Sequence, residues 1–107
     1  MTPFFMELSI IIPSYNTKAL LERCLASVYT SLLQAQFNYE VIVVDNASVD
    51  GSPKMVSKKF TQVHLLLNKA NAGYGKANNQ AIKKAKGSYV LLLNSDIVVQ
   101  NDAIGAL

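Results

Sequence analysis

Cysteine and histidine occur once each in these 107 residues, and charged side chains make up only 16% of them. With Cys24 alone there is no intramolecular disulfide, and no cysteine- or histidine-rich zinc site can form, which suits a reducing compartment. Cys24 falls on an apolar helical stripe and reads as a small core residue rather than a nucleophile. No apolar run approaches the length of a membrane span. The opening stretch, MTPFFMELSIII, has no basic n-region, and Glu7 interrupts it, so it does not read as a signal peptide. The cytoplasm is the expected location. Repeats, low-complexity segments and an internal linker are all missing, and so is the P-loop pattern.

The chain has room for one domain with a modest core. Half of its residues are hydrophobic, so it is globular rather than disordered. The net charge of +3 is mild. The lysines between Lys54 and Lys59 and between Lys76 and Lys86 have near-helical spacing and read as solvated helix faces, not as a nucleic-acid patch.

Apolar periodicity predicts a regular alternation. LSIII (Leu8 to Ile12) is a strand stopped by Pro13. Leu21, Cys24, Leu25, Val28 and Leu32 mark an amphipathic helix over Lys18 to Leu33, with Asn16 or Thr17 as its N-cap. YEVIVV (Tyr39 to Val44) is a second strand, and Pro53 opens a short helix through Lys59. VHLLL (Val63 to Leu67) is a third strand. A Gly- and Asn-rich loop then leads into a helix from Tyr74 to Lys86, ended by Gly87, and YVLLL is the fourth strand. Continuously apolar strands are buried on both faces, which predicts an α/β fold: an open, mainly parallel sheet with helices on both faces.

In such sheets ligands bind outside the carboxyl ends of the strands. The segments following the strands are PSYN, DNASVDGS, NKANAGYG and NSD, so the polar residues that the core cannot use gather at that edge. Asp96, in the middle of the hydrophobic stretch YVLLLNSDIVV, then stands at the rim of a cleft, and Asp45 and Asp50 can share it. Two or three carboxylates at a rim favour a hard cation such as Mg²⁺ or Mn²⁺. Each element also has a plainer reading. Asp45-Asn46 and Asp50-Gly51 are turn formers, Pro13 is a strand terminator, and Asn94-Ser95-Asp96 can cap a helix. GYGKAN (Gly73 to Asn78) lacks the third glycine of a dinucleotide fingerprint and follows the wrong strand for one. Its glycines allow close backbone approach at a helix N-terminus, which tolerates an anion.

Together, SIIIPSYN (Ser9 to Asn16), VIVVDNASVDGS (Val41 to Ser52), NAGYGKANNQAI (Asn71 to Ile82) and GSYVLLLNSD (Gly87 to Asp96) resemble the inverting glycosyltransferases of family 2, which have the GT-A nucleotide-sugar-binding fold. The resemblance runs from Met6 onward and looks most like the branch that includes rhamnosyltransferases and other cell-envelope polysaccharide enzymes. It implies transfer of a sugar from a UDP- or dTDP-sugar to a glycan or lipid-linked acceptor. It further implies that Pro13, Tyr15 and Asn16 border the nucleoside, and that Asp45, Asn46 and Asp50 contact base or ribose. The loop with Asn71, Gly73, Gly75 and Asn78, together with Ser95, is implied to lie beside the diphosphate and donor sugar. Asp96 matches the last acid of the DxD motif, which holds Mn²⁺ or Mg²⁺ on the diphosphate.

Two departures stand out. Asn94 replaces the first DxD acid, and no residue here matches the family's catalytic base. The resemblance therefore implies that residues 1–107 are the N-terminal donor-binding portion, with base, acceptor half and any peripheral membrane attachment expected downstream of Leu107. Such a portion is expected to be inactive alone and to self-associate through an uncovered sheet edge. Two other classes fit the alternation: a non-catalytic nucleotide- or sugar-binding module, and a phospho-acceptor receiver domain. The latter needs an acidic pair after the first strand and an acceptor aspartate after the third, and PSYN and NKAN supply neither.

Overall fold

A computed structural model of the chain describes residues 5–107. The expectation drawn from the opening stretch falls partly on residues 1–4, which lie outside the described residues. Seven elements alternate along the chain: β1 (Leu8–Ser14), α1 (Lys18–Ser31), β2 (Tyr39–Asp45), α2 (Ser52–Lys59), β3 (His64–Leu67), α3 (Tyr74–Lys84) and β4 (Tyr89–Leu92). The four strands form one sheet in the order β3-β2-β1-β4, and every pairing is parallel. Among the described residues no helix is long and apolar enough to cross a membrane.

The two-residue period of the strands divides the core. Ile10, Ile12, Val41 and Val43 face α1 and α2, where Leu21, Cys24, Leu25, Val28, Met55 and Val56 meet them. Ile11, Ile42 and Val44 face the opposite way, against Ala77 and Ala81 of α3. Helices thus cover both faces of the central strands β1 and β2, as their continuous apolar character predicts. The same reading fails for β3 and β4. Leu67 is 63% exposed and Tyr89 75% exposed, because α3 packs against β1 and β2 and leaves the edge strands partly bare.

The sheet steps outward from β1 to β2 to β3, and then β4 returns to the other side of β1. That reversal is a topological switch point, where neighbouring crossovers diverge and a crevice opens. Pro13 sharpens it. β1 does not stop at Pro13 but continues paired with β2 as far as Ser14 opposite Asp45. On the other side its pairing with β4 ends at Ile11 opposite Leu92, with Leu93 N donating to Ile11 O at 2.9 Å. Alternate residues of a parallel strand bond to opposite neighbours, so Pro13 turns its missing N–H towards β4. Beyond that point β1 and β4 part.

Gly87 does not end α3, as expected from the sequence. The helix ends at Lys84 with Ala85 extended, and Gly87 lies instead against the backbone of β1.

Candidate functional site

A cleft of ≈470 Å³ opens where β1 and β4 separate. Of the residues singled out in the sequence, Pro13, Tyr15, Asn46, Asn71, Gly73, Ser95 and Asp96 line it. Residues from the ends of three strands and from the start of α3 therefore converge on one cavity. Asn94 also borders it, as do Thr17, Leu20 and Tyr74, which the sequence did not mark as site residues. Tyr15 and Tyr74 are about half exposed, at 49% and 54%, and offer aromatic surface to an incoming ring.

Hydrogen bonds hold the lining in place. Thr17 is the N-cap residue of α1, but its side chain makes no capping bond. Its hydroxyl donates to Ser95 Oγ at 2.9 Å and lies 3.1 Å from Ser14 Oγ, joining the ends of β1 and β4 across the floor. A capping residue was legible in the sequence; that its hydroxyl points into the cleft was not. Asn46 is buried, and its Oδ1 accepts from Asn68 Nδ2 at 2.9 Å and from Ala72 N at 3.3 Å. This bond pair fixes the loop after β3. Asn71 Oδ1 then accepts from Gly73 N at 2.8 Å. Gly73 takes φ +84°, a conformation that favours glycine, as the chain turns into α3.

Asn16 and Asp50 do not line the cleft. Their polar atoms stitch the loop after β1 to the loop after β2. Asn16 N donates to Ser48 Oγ at 2.9 Å, and Val49 N returns a bond to Asn16 Oδ1 at 2.8 Å. Asp50 Oδ2 accepts from Lys18 N at 2.9 Å, and Oδ1 accepts from Ser52 N at 3.0 Å and from the Ser52 hydroxyl. One carboxylate therefore takes up the first backbone N–H of α1 and of α2, where the helix dipoles also favour negative charge. Desolvation pushes the Asp50 carboxyl upward, but the bonds from the Ser52 side chain, Ser52 N and Lys18 N together outweigh it and leave its pKa below the ordinary 3.8. A lowered folded-state pKa contributes stability above the unfolded value and loses it as pH falls through the folded one. Asp50→Ala is expected to cost on the order of 1–2 kcal/mol near neutral pH, as for lost helix caps. Acid titration of both proteins checks this: the gap in melting temperature should narrow only as pH falls below the unfolded carboxylate value of about 3.9 and through the lower folded one, and a gap that stayed constant throughout that acid range would contradict it.

Asp45 is buried at the end of β2. Its Oδ2 accepts from Ser48 N at 2.9 Å, while Oδ1 is buried with no partner among the described residues. Asn78 is also buried, on α3, with Oδ1 equally unpartnered. Gly75 lies exposed in the first turn of α3, and a Cβ there would meet nothing within 4 Å. Neither Asn78 nor Gly75 lines the cleft.

The expectation that two or three carboxylates share the rim needs correction. Asp50 is committed to backbone N–H groups through both oxygens and Asp45 through Oδ2 alone, neither lines the cleft, and Asp96 is the carboxylate that does. No group of three His, Cys, Asp or Glu side chains among the described residues is placed to hold a metal. Asp96 is nonetheless exposed and forms no ion pair among the described residues. That fits a cation of the Mg²⁺ type, which is bound through one or two carboxylates with phosphates and water completing the shell. The Cys24 thiol is pushed up to about 11, by burial first and then by the charge of Asp96. A thiol held protonated in this way is a core group, not a nucleophile.

The model of Glycosyl transferase family 2 matches residues 9–107. The poly(ribitol-phosphate) beta-glucosyltransferase of Bacillus spizizenii is 36% identical over 103 residues, which cover 92% of this chain and 16% of that protein. The Staphylococcus aureus protein TarS, residues 1–349, solved in complex with UDP-GlcNAc, is 32% identical with a TM-score of 0.73, over 85% of this chain and 27% of that one. The mannosyltransferase PcManGT from Pyrobaculum calidifontis, solved with GDP-Man and Mn²⁺, is 26% identical with a TM-score of 0.79, over 94% of this chain and 30% of that one. The chain thus spans less than a third of the length of each of these proteins.

Proposed function

Because the chain belongs to glycosyl transferase family 2, we propose that it forms the donor-binding portion of a cytoplasmic glycosyltransferase. That enzyme takes a sugar from a UDP- or dTDP-sugar and inverts it onto a glycan or lipid-linked acceptor. The observation that carries the reading is the cleft at the switch point, with aromatic walls and one free carboxylate, Asp96, at its rim. The structures of relatives with UDP-GlcNAc and with GDP-Man and Mn²⁺ support a nucleotide-sugar donor. The relatives are named for glucose and mannose transfer or were solved with UDP-GlcNAc, which supports a hexose-type donor.

Tyr15 and Pro13 wall the nucleoside side of the cleft and exclude water from it. The unpartnered Asp45 Oδ1 accepts an N–H or hydroxyl of base or ribose, which relieves a buried orphan acceptor. Asn16 and Asp50 position that site by joining the two loops that carry Tyr15 and Asp45. Asn71 and the first turn of α3 face the diphosphate with backbone N–H groups, Gly73 shapes the turn into that helix with its own N–H bonded to Asn71 Oδ1, and Ser95 is held towards the diphosphate by Thr17. Asp96 would hold Mn²⁺ or Mg²⁺, which as a Lewis acid stabilises the charge that grows on the β-phosphate as the nucleoside diphosphate leaves. Asp96 being so engaged, the general base that deprotonates the acceptor is not assigned to a residue of this cleft.

Calorimetric titration with UDP and dTDP, with Mn²⁺ and with chelator, tests the proposal. Metal-dependent binding of at least one of them is the expected result, and binding of neither would refute it. Asp45→Ala separates the nucleoside contact from the metal contact. It should weaken free uridine or thymidine as well as the diphosphate by tenfold or more, since one charge-assisted hydrogen bond is worth about 1.5–3 kcal/mol. Unchanged nucleoside binding would leave Asp45 a turn former.

A further inference from the structure

From Gly51 to Ser95 the chain has no aspartate or glutamate, yet this stretch holds every basic residue except Lys18 and Arg23, eight of ten, all of them lysine. The lysines run from α2 through the loop after β3 to just past α3, around the β3 side of the sheet, whereas β4, the last strand of the stretch, lies at the opposite edge and carries none. α2 leads into β3 and α3 leaves it, the two helices pack on opposite faces of the sheet, and β3 is the sheet edge between them. Lys54 and Lys58 on α2, Lys83 and Lys84 on α3, and Lys86 just after it are all exposed. Among the described residues one lysine is paired, Lys59 with Glu22 at 2.8 Å. Between β3 and α3 runs a groove of ≈650 Å³, floored by Leu65, Leu66 and Leu67 and rimmed by Lys83 and Lys84. Leu67 is 63% exposed there, and Ile82 of the same helix 43%.

We propose that the β3 edge with its flanking lysines docks on an anionic lipid membrane surface. The charge of the stretch is of one sign and, Lys59 apart, unpaired among the described residues, which is what an anionic leaflet attracts. Exposed leucine and isoleucine beside lysine suit the boundary between headgroups and acyl chains, where the apolar part inserts and the ammonium groups stay with phosphate. Nucleic acid fits the surface less well. The edge has no arginine for bidentate contacts to phosphate or guanine, and among the described residues no aromatic side chain lines the groove as a stacking platform. Lysine beside a strand edge also discourages edge-to-edge pairing. That role accepts either sign of charge, however, and explains neither the missing acids nor the lysines of α2. The groove shares no lining residue with the cleft, so docking leaves the donor site open.

Co-sedimentation with vesicles of phosphatidylglycerol mixed into phosphatidylcholine, against phosphatidylcholine alone, tests the proposal. The protein should pellet with the anionic vesicles and be released at high salt, where the Debye length shrinks to about 3 Å. Each lysine near such a surface strengthens binding about fivefold, so replacing Lys83, Lys84 and Lys86 together by glutamine should weaken it about a hundredfold. Lys54→Gln with Lys58→Gln should weaken it as well, and unchanged melting curves confirm that both variants fold. Equal pelleting with both vesicle types, retention by the triple variant, or preference for duplex DNA over anionic vesicles would each overturn the proposal.

Discussion

Asp96→Ala is expected to erase the metal dependence of UDP or dTDP binding while leaving the melting temperature where it was. Asp96 is exposed and forms no ion pair among the described residues, so its removal breaks no stabilising contact. Its loss is felt at the cleft. Asn94 offers only a neutral oxygen, and no other carboxylate lines the cavity to take over the cation. Mutating the outer partners of a metal site already costs about 10–100-fold in affinity, and a direct carboxylate ligand should exceed that. The variant should therefore bind nucleoside diphosphate with one weak affinity, the same with Mn²⁺ as with chelator. A second readout is independent of the ligand: the Cys24 thiol, raised by burial and then by Asp96, should titrate lower once that charge is gone. If Asp96→Ala kept full metal-dependent binding, another group would be the ligand.

The fold was legible because its signals were local and agreed with one another. The apolar runs of β1 and β2, the stripe Leu21, Cys24, Leu25 and Val28, and Pro53 at a helix start each predict what the structure shows. The failures share one cause, which is that single-sequence patterns do not report neighbours. β3 and β4 carry the same apolar signature as β1 and β2, but they stand at the edges, and only strand order decides which runs are covered. Pro13 likewise reads as a stop in every direction. It stops one ladder and leaves the other running, because a strand has two sides.

The site was legible as a set of strand ends but not as a set of contacts. Polar residues after β1, β2, β3 and β4 do converge, and Asp96 does reach the rim. Which polar groups face ligand and which face protein is a matter of a few ångströms that spacing cannot resolve. Asn16 and Asp50 have the residue types of nucleoside contacts, but Asn16 turns its backbone N–H and Oδ1 to the loop after β2, and Asp50 divides its carboxylate between the start of α1 and its own turn into α2. Thr17 has the residue type of an N-cap and turns its hydroxyl to Ser95. In both cases short polar side chains have several backbone and side-chain partners of similar energy within reach, and tertiary packing chooses among them.

Gly87→Ala should show how much depends on one such close approach. A Cβ at Gly87 would lie 2.6 Å from Ser9 N, 2.7 Å from Ser9 Oγ and 2.8 Å from Leu8 C. Two of these are backbone atoms of β1, a buried strand paired on both sides, so the obstacle cannot rotate away. Moving Gly87 instead breaks a small buried network. Gly87 N donates to Ser9 Oγ at 2.8 Å, Ser9 Oγ donates to Glu40 Oε2 at 2.6 Å, and Lys86 N donates to the same oxygen at 2.7 Å. Overpacking costs about 1–3 kcal/mol, and a hydrogen bond to a charged group about 1.5–3, so a loss on the order of 3–5 kcal/mol is expected. That is a large part of the 5–15 kcal/mol typical of a domain, and it should lower Tm by roughly 10–20 °C or more. The sign separates the two readings of this glycine. Gly87 is not among the glycines with positive φ, so a mere helix stop would tolerate alanine or gain about 0.4–1 kcal/mol from a stiffer unfolded chain. Ser9→Ala in the same background should not rescue the variant, since it removes the hydroxyl but leaves the two backbone contacts. A Gly87→Ala protein that melts at or above the parent would show that β1 can yield here, and that the β1–β4 register leading to Asp96 does not depend on this glycine.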